Sequence, residues 1–408
     1  MIVNRICVKY RLYPSHAEET KLRESLDVCR GLYNSFLHWR KFSYEVEGKA
    51  PTEREQEKKI AEWKPAHPEL SSVYAHLLQN VAIRVDLAYQ SYFRRLKEYR
   101  EREAAGLLKE DEKCPGPPRP KGRGVYDSLT WKEYDSGCRV LDNAVRLSKI
   151  GDIKAIIHRP LPGVPKTMTV RRQAGKWFAC IACEVEDNPL PVSEEEIGID
   201  VGIEKFAALS NGEFIDNPRF LRTEEKALAK AQRKFDRVQN KHRSKARRKA
   251  KKVVARTHER IRNRRHNFHH QETRKIVDRY GKIAVEKLNI KNMSKSPGPK
   301  QDNETGTFLP NGHAAKAGLN KCILDAGWYA FRMILSYKAE SAGRKVIGVN
   351  PAYTSQDCSG CGYRSKKKLS ERWHYCPKCG LSLDRDTNAA HNILQNAVGL
   401  HSVAGIPA

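Results

Sequence analysis

The first half of the chain combines one strand-like segment with a long run of helical periodicity. Residues 2–12 are typical of a strand, which Pro14 ends, and Ser15 is placed to cap a helix. From residue 16 to about residue 100, apolar positions recur with the three- and four-residue spacing of helices. They form two stripes: Leu22, Leu26, Cys29, Leu32, Tyr33 and Phe36, then Leu77, Leu78, Val81, Val85, Ala88, Tyr89 and Tyr92. We interpret both stripes as the core of a packed helical bundle.

A Pro/Gly-rich segment at residues 115–124 ends this helical block, and strand-like runs follow it. The runs cover residues 140–147, 154–158, 167–172 and 177–185. They predict a small β-domain, which we expect the N-terminal strand to complete. Cys180 and Cys183 have CxxC spacing, but a strand directs them to opposite faces, so we interpret them as packing residues.

The second half of the chain alternates apolar strands with helical segments. Residues 197–202 predict a strand that carries Asp200, and Asn211-Gly212 predicts a hairpin after it. The remaining elements are a basic helical hairpin at 224–280, a strand at 282–285 followed by Glu286, a mobile loop at 296–311, a helix at 324–342, a strand at 345–349 and a helix at 387–398.

Four cysteines near the C-terminus form two CxxC pairs, CSGC and CPKC, with fourteen residues between them: Cys358, Cys361, Cys376 and Cys379. Four thiolates suit a tetrahedral zinc ion, and this spacing fits a zinc ribbon. An acidic segment with Asp384 and Asp386 follows directly. We therefore expect the cysteine pairs to form part of an active site rather than a free-standing finger.

The charge of the chain indicates a polyanionic partner. The 408 residues allow two or three domains, and the formal net charge is +28, with 21 Lys and Arg against 5 Asp and Glu in residues 222–275. So concentrated a charge favours nucleic acid over a small metabolite. We find no apolar run near the ~20 residues of a membrane-spanning helix and no signal peptide. Four cysteines explained as zinc ligands suit a reducing compartment, so we expect a cytoplasmic, nucleoid-associated protein.

Three carboxylates occur in similar surroundings: Asp200 and Glu286 in or at the end of apolar strands, and Asp386 at a helix start. Carboxylates are hard ligands suited to Mg²⁺, and two such ions roughly 3.5–4 Å apart can clamp a phosphodiester during hydrolysis. An acid at a strand end is often only a cap or an ion-pair partner. Together with the charge and the basic helical pair, the three acids favour a nuclease.

Three segments, in this order, resemble the motifs of a RuvC-like nuclease with an inserted zinc element: GIDVGIEKFA, IAVEKLNIKNM, and NPAYTSQDCSGCG with YCPKCG and LDRDTNAAHNI. LNKCILDAGWYAF, YRLYPSHAEE, LLQN and AYQSYFRRLK add to the resemblance. The chain is similar to the TnpB family, the transposon-encoded RNA-guided nucleases related to compact type V CRISPR effectors. The resemblance covers nearly the whole chain.

This resemblance implies an α+β multidomain fold. Residues 1–15 and 116–190 would form a split β-barrel wedge domain, with an inserted helical recognition domain at 16–115. Residues 191–408 would form an RNase H-like (RuvC) α/β nuclease domain, containing a zinc ribbon at 354–383 and a flexible lid loop at 296–311.

The resemblance also implies roles for the site residues. Asp200, Glu286 and Asp386 would hold two catalytic Mg²⁺ ions, and Asp386 is preferred to Asp384 because the family's third acid lies two residues before the Asn of DxNAA, here Asn388. The zinc would be structural, because four thiolates leave no open position for a substrate.

The implied partners are a guide RNA and target double-stranded DNA, held by a monomeric protein. In this family, base pairing with the guide reads the sequence, while the protein holds the backbone by charge and shape. Gln79 falls on a position associated with reading the adjacent motif, and glutamine can pair with adenine. The candidate backbone-binding residues are Arg233, Lys234, Arg247, Arg248, Lys251, Lys252 and Arg264.

Other functions remain open at this point. A compact type V CRISPR effector of the same fold is barely distinguishable by protein sequence, and genomic neighbours would separate the two. A non-cleaving RNA-guided DNA-binding repressor would have lost the acids, which are all present here. A zinc-ribbon DNA-binding protein would explain the charge and the cysteines but leaves Asp200 and Glu286 without a role; salt-sensitive DNA binding without RNA would favour it.

Overall fold

The chain divides into two units, Met1–Glu186 and Asp187–Ala408, each of which is described by itself. The computed structural model describes residues 3–108, 112–186, 189–238, 244–302, 304–367 and 371–399. Among the described helices, none combines the length and the apolar character needed to cross a membrane.

The first unit is built on a seven-stranded antiparallel sheet. Its strands are β1 (Val3–Tyr13), β2 (Ser128–Trp131), β3 (Cys138–Val140), β4 (Ala144–Leu147), β5 (Gly151–Ile156), β6 (Val164–Gln173) and β7 (Lys176–Glu186), in the order β2-β6-β7-β1-β5-β4-β3. The N-terminal strand lies in the middle, paired with β7 and β5, so it completes the sheet as predicted. Burial alternates along β7, which buries Cys183 and leaves Cys180 on the other face.

Three features of this sheet differ from the sequence prediction. The edges β2 and β3 are not paired with each other in the described residues, so the sheet is open in its hydrogen bonding rather than a closed barrel. The run predicted at 140–147 is a hairpin, because the chain turns between β3 and β4 and the Leu141 amide donates to the Ala144 carbonyl at 2.8 Å. Strand β2 was not predicted.

Four helices connect β1 to β2: α1 (His16–Glu47), α2 (Glu53–Trp63), α3 (Pro68–Ser72) and α4 (Ala75–Ala104). Ser15 caps α1, since its hydroxyl accepts from the Glu18 amide and the Glu18 carboxylate accepts from the Ser15 amide. Leu22, Leu78 and other residues of the predicted stripes are buried, together with β-strand residues such as Val8 and Ile181. The helices and the sheet therefore share one hydrophobic core.

The second unit contains a mixed five-stranded sheet. Its strands are β8 (Glu196–Val201), β9 (Lys205–Leu209), β10 (Phe214–Asp216), β11 (Lys282–Glu286) and β14 (Lys345–Val349), in the order β10-β9-β8-β11-β14. β8, β11 and β14 are parallel, while β9 and β10 form the predicted antiparallel hairpin. Two short hairpins lie outside this sheet: β12 (Lys300–Gln301) with β13 (Phe308–Leu309), and β15 (Trp373–Tyr375) with β16 (Ser382–Asp384). The mobility predicted for residues 296–311 remains a prediction.

Helices cover both faces of this sheet. They are α5 (Phe220–Asp236), α6 (Lys245–Arg279), α7 (Ile290–Met293), α8 (His313–Ala326), α9 (Trp328–Ser341) and α10 (Arg385–Val398). Ile197 and Ile199 of β8 pack with residues of α6 and α9. On the opposite face, Ala284 of β11 packs with Ile393 of α10. Because successive side chains of a strand point to opposite faces, every second residue of β8 and β11 faces α10.

The basic segment forms a helical hairpin, as predicted. The Arg264 guanidinium lies 5.2 Å from the Phe220 ring, and the Arg247 guanidinium lies 4.3 Å from the Phe235 ring. These two contacts join the start of α5 to the second half of α6, and the end of α5 to the start of α6. The two helices are therefore antiparallel.

The helix predicted at 324–342 is two helices, because the chain breaks at Gly327. Gly327 has a φ of 69°, in the left-handed region that favours glycine. Side chains of α6 bind the free carbonyls at the end of α8: Arg265 Nη1 donates to Leu324 O at 2.8 Å, and His269 Nε2 lies 2.9 Å from Ala326 O. The break thus combines a glycine in the left-handed region with contacts from a distant helix.

Candidate active site and zinc centre

Two of the predicted acids lie side by side on neighbouring parallel strands. Val285 of β11 is in register with Ile199 of β8, and Glu286 and Asp200 are the next residue in each strand. Because residues at the same register position of parallel strands point to the same face, both acids lie on the face covered by α10. The structure thus brings together two acids that are far apart in sequence.

The third acid, Asp386, lies in the first turn of α10, and Gly198 controls how closely that helix approaches. A Cβ at Gly198 would lie 2.0 Å from the Ala390 carbonyl oxygen and 2.9 Å from Leu394 Cβ. Asp386 lies one turn before Ala390, while Asp200 lies two residues after Gly198 on the same face. The close contact at Gly198 therefore brings Asp386 towards Asp200.

The acids affect one another electrostatically. Burial raises the pKa of the Asp200 carboxyl well above its ordinary value, and the charges of Glu286 and Asp386 raise it further. The Arg385 guanidinium, 3.3 Å from Asp386 Oδ1, opposes this effect. Burial also raises the pKa of Glu286, against the hydrogen bond from Thr354. The charge of Asp384 also raises the Asp200 pKa, so among the described residues named here the acids outnumber the one arginine, as expected of a site for divalent cations.

The carboxylate oxygens of the three acids lie farther apart than the ligand atoms of a single ion would. Among groups of three or more His, Cys, Asp or Glu in the described residues, only the four cysteines have ligand atoms that all lie within 4.8 Å of one another. Asp386 is the acid that is paired with Arg385. All three are hard oxygen donors of the kind that Mg²⁺ binds, so the donor set fits that ion.

Asp384, the alternative third acid, has a different role. Its Oδ1 accepts from the Asp386 amide at 2.9 Å and from the Thr387 amide at 3.1 Å, so Asp384 is the N-cap of α10. These bonds satisfy two of the free amides at the helix start.

The four cysteines come together as the spacing predicts. Sγ of Cys358 lies 3.6 Å from that of Cys379, and Sγ of Cys361 lies 3.5 Å from that of Cys376. Gly360 lies inside the first turn, where a Cβ would contact the Leu381 side chain at 3.2 Å.

Both CxxCG turns have the same backbone pattern. In each, the amide of the glycine after the pair donates to the carbonyl of the first cysteine: Gly362 to Cys358 at 2.8 Å and Gly380 to Cys376 at 2.9 Å. These two glycines have φ values of 72° and 75°. Four soft thiolates in two matched turns fit a closed tetrahedral zinc site.

Comparisons with known proteins agree with this arrangement. Family models match residues 180–297 ("Probable transposase"), 328–393 ("Cas12f1-like, TNB domain") and 1–49 ("Helix-turn-helix domain"). The "Putative RNA-guided DNA endonuclease InsQ" of Escherichia coli (strain K12) is 31% identical over 95% of this chain and 90% of its own length. The "Putative RNA-guided DNA endonuclease" of Streptomyces pristinaespiralis is also 31% identical, over 97% of this chain and 90% of its own length. The chain belongs to the TnpB family.

A solved structure supports the fold of this TnpB family member. The "Structure of the mini-RNA-guided endonuclease CRISPR-Cas_phi3" aligns over 99% of this chain and 94% of that chain, with a TM-score of 0.50 and 11% identity. The segment matched as a helix-turn-helix domain has a different local structure. Its described part, residues 3–49, contains β1 followed by the single 32-residue helix α1.

The predicted nucleic-acid-binding residues of this TnpB family member fall into two groups. Arg247 and Arg264 pack on phenylalanine rings between α5 and α6, and Arg264 also lies 3.4 Å from Glu224. The other predicted residues on these helices, Arg233, Lys234, Arg248, Lys251 and Lys252, make no such packing contact among the described residues and are exposed. Gln79 is half-buried on α4, in the first unit.

Sequence reasoning missed the side chains that hold the acid site and the cysteine turns. Thr354 contacts Glu286, and Asn388 and Asn392 of α10 bind the backbone before and within the first cysteine turn. The two asparagines of DTNAAHN are four residues apart, which places their amides on one face of α10. This spacing could have predicted that they act together.

Proposed function

We propose that this chain is an RNA-guided DNA endonuclease of a mobile element, which cleaves target double-stranded DNA next to a short adjacent motif in a single RuvC-like site. The observation that carries the proposal is the placement of Asp200 and Glu286 on neighbouring parallel strands beneath the helix that bears Asp386. The names of the two relatives, similar over nearly their whole length, support the same activity.

In this proposal Asp200, Glu286 and Asp386 hold two Mg²⁺ ions, which when bound would activate water and stabilise the charge of the phosphodiester during hydrolysis. The raised pKa values of Asp200 and Glu286 show that their ionised forms are destabilised in the fold without added positive charge. A bound cation would stabilise these ionised forms, which supports a cation site here. The capping bonds of Asp384 support the choice of Asp386 as the third acid.

The four cysteines hold one structural zinc ion in this proposal. Closed four-thiolate sites stabilise small folds without taking part in chemistry. In a ribbon with two short strands, the metal would replace the hydrophobic core that the segment lacks.

The proposed partners are a guide RNA and its target DNA, bound by one protein chain. The exposed basic residues of α5 and α6 would contact phosphates without reading sequence. Gln79 would contact the adjacent motif. The proposed division is a wedge domain at 1–15 and 116–190, a recognition domain at 16–115, a nuclease domain at 191–408, a ribbon at 354–383 and a lid at 296–311.

The test is to express the protein with its flanking locus, identify the RNA that copurifies, and assay cleavage of DNA that matches the guide. We expect Mg²⁺-dependent cleavage by the wild type. Asp200→Ala should bind RNA and DNA as the wild type does but cleave no DNA. Cleavage by Asp200→Ala at the wild-type rate would refute the acid site, and the absence of a defined RNA would refute RNA guidance.

A further inference from the structure

A buried threonine outside the acid triad contacts one of its members. Thr354 Oγ1 donates to Glu286 Oε1 at 2.6 Å, and Thr354 is only 5% exposed. The same oxygen lies 3.2 Å from the Pro351 carbonyl. A hydroxyl has one proton, and the shorter contact to a charged acceptor is the stronger of the two. Glu286 is therefore held in one orientation by a side chain that lies 68 residues further along the chain.

The backbone around Thr354 is anchored to α10. Asn392, 1% exposed, donates from Nδ2 to the carbonyls of Thr354 at 2.8 Å and Asp357 at 2.7 Å. Asn388, fully buried, donates to the Asp357 carbonyl at 2.8 Å and accepts from the Ser359 amide at 2.9 Å. Two amide side chains of one helix thus hold the segment from Thr354 to Ser359.

The same segment belongs to the cysteine centre, because Cys358 lies within it. At its start, Tyr353 has a φ of 66°, a left-handed conformation that is uncommon for a residue other than glycine. Its carbonyl accepts from the amides of Gln356 at 2.9 Å and Asp357 at 3.0 Å, which closes the turn. A continuous set of hydrogen bonds therefore joins the first cysteine turn, α10 and the Glu286 carboxylate.

We infer that Thr354 is a positioning residue for Glu286, through which the folded cysteine centre orders the acid site. This inference rests on the proposed function, in which Glu286 is a ligand of a divalent ion. Ligands of metal ions are commonly oriented by such hydrogen bonds, whose loss costs roughly 10–100-fold in metal affinity or activity. The zinc centre then has an effect on catalysis although it offers no open coordination position.

The test compares Thr354→Val, which keeps the shape but removes the hydroxyl, with Thr354→Ser, which keeps the hydroxyl. Thr257→Val is the matched control, because Thr257 is also buried but donates to the Val253 carbonyl of its own helix. Each variant is assembled with guide RNA. Mn²⁺ binding is measured by electron paramagnetic resonance on the complex with uncleavable phosphorothioate DNA, and cleavage is measured separately across a range of Mg²⁺ concentrations.

We expect Thr354→Val to weaken Mn²⁺ binding and to require more Mg²⁺ for cleavage, by about 10–100-fold. Thr354→Ser and Thr257→Val should resemble the wild type in both assays, and all variants should retain one zinc per chain. Equal Mn²⁺ binding by Thr354→Val and the wild type would overturn the inference. A similar loss in Thr257→Val would overturn it too, because the effect would then be one of general packing.

A double-mutant cycle tests the link to the cysteine centre. Cys379→Ser removes the exposed cysteine ligand, and Thr354→Val should cause a smaller further loss of Mn²⁺ binding in that background than in the wild type. Fully additive losses would contradict the link. Asp200→Ala distinguishes failure of the proposed function from failure of the inference about Thr354. If Asp200→Ala cleaves DNA, the proposed function is wrong. If Asp200→Ala is inactive while Thr354→Val behaves as the wild type, only the role of Thr354 is wrong.

Discussion

At the scale of single residues, the surroundings of each carboxylate decide its role. Asp384 and Asp386 are two positions apart in one motif, but Asp384 accepts two backbone amides while Asp386 is bound by a guanidinium. Asp386 therefore keeps a carboxylate available at the acid cluster, whereas Asp384 uses one of its oxygens to cap α10. The sequence favoured Asp386 only through the family resemblance, because a cap and a metal ligand can both be aspartate.

Substitutions at these two positions should have different effects. Asp384→Asn keeps an N-cap acceptor, so we expect near-normal stability and cleavage, whereas Asp384→Ala should lower the free energy of unfolding by about 1 kcal/mol. Asp386→Asn should abolish cleavage while leaving RNA binding intact. Thermal unfolding and cleavage assays on the three variants check this. Loss of cleavage in Asp384→Asn with normal cleavage in Asp386→Asn would reverse the assignment.

Asp200 gives a prediction about pH. The pKa of Asp200 is higher in the folded chain than the ordinary 3.8, so ionisation of this carboxyl destabilises the folded state. The free energy of unfolding therefore falls as the pH rises from 3.8 through the raised pKa of the folded state. Asp200→Asn should therefore unfold at a higher temperature than the wild type at pH 7 in buffer without Mg²⁺. Each kcal/mol corresponds to roughly 2–4 °C for a unit of this size.

This advantage of Asp200→Asn should shrink as pH is lowered towards the ordinary range of aspartate, because the wild-type carboxyl then becomes protonated. Added Mg²⁺ should raise the unfolding temperature of the wild type more than that of the variant. Buffers must contain no chelator, so that zinc is retained. A variant that is less stable than the wild type at every pH would show that the Asp200 charge does not destabilise the fold.

At the scale of elements, the acid site depends on how α10 packs on β8. Ala390 and Leu394 lie against Gly198, where no Cβ fits, and this close approach is possible because the strand has no side chain at that position. Gly198 and Asp200 thus lie on the same face of β8, where Gly198 allows α10 to pack closely and Asp200 provides a candidate metal ligand.

Gly198→Ala should shift α10, lowering the free energy of unfolding by about 1–3 kcal/mol, as overpacking of a core does. Cleavage should fall as well, because Asp386 moves with the helix. Gly318→Ala is the matched control: Gly318 is an exposed residue of α8, and a Cβ added there would meet no atom within 4 Å, so alanine should stabilise by about 0.5–1 kcal/mol. Thermal unfolding and cleavage assays check both variants, and unchanged cleavage by Gly198→Ala would contradict the packing argument.

At the scale of the whole molecule, the net charge of +28 is distributed unevenly, and α5 and α6 carry a large part of it. The structure separates charges that pack the two helices together from charges that face solvent. Arg248, Lys251 and Lys252 are exposed and lie on one face of α6, at three- and four-residue spacing. This spacing would let the three side chains contact one phosphate backbone, as proposed above.

Replacing Arg248, Lys251 and Lys252 together by glutamine should reduce the salt dependence of RNA binding. The slope of log K against log salt should fall by about 2–3, since each phosphate contact contributes roughly 0.7–0.9. Replacing Arg274 and Lys275 is the control, because their charges are paired with Asp278 and Glu272 on the same helix. An unchanged slope in the triple variant would exclude this face of α6 from the RNA interface.

The sequence by itself determined the features that depend on neighbours along the chain. The cap of α1, the β9–β10 hairpin, the helical hairpin and the two CxxCG turns follow from local spacing and backbone preference, so they could be predicted. The motif order also identified the family and Asp200, Glu286 and Asp386 as candidate ligands.

Only the tertiary structure decided which distant groups meet. The register of β8 with β11 places Glu286 beside Asp200, the close packing at Gly198 brings α10 over them, and Thr354 binds Glu286 from the cysteine segment. The carbonyls at the end of α8, before the break at Gly327, are likewise bound by side chains of α6. The physical reason is that these contacts join residues far apart in the chain, and no local sequence pattern predicts which distant residues will meet. The contacts form only when the whole unit has packed.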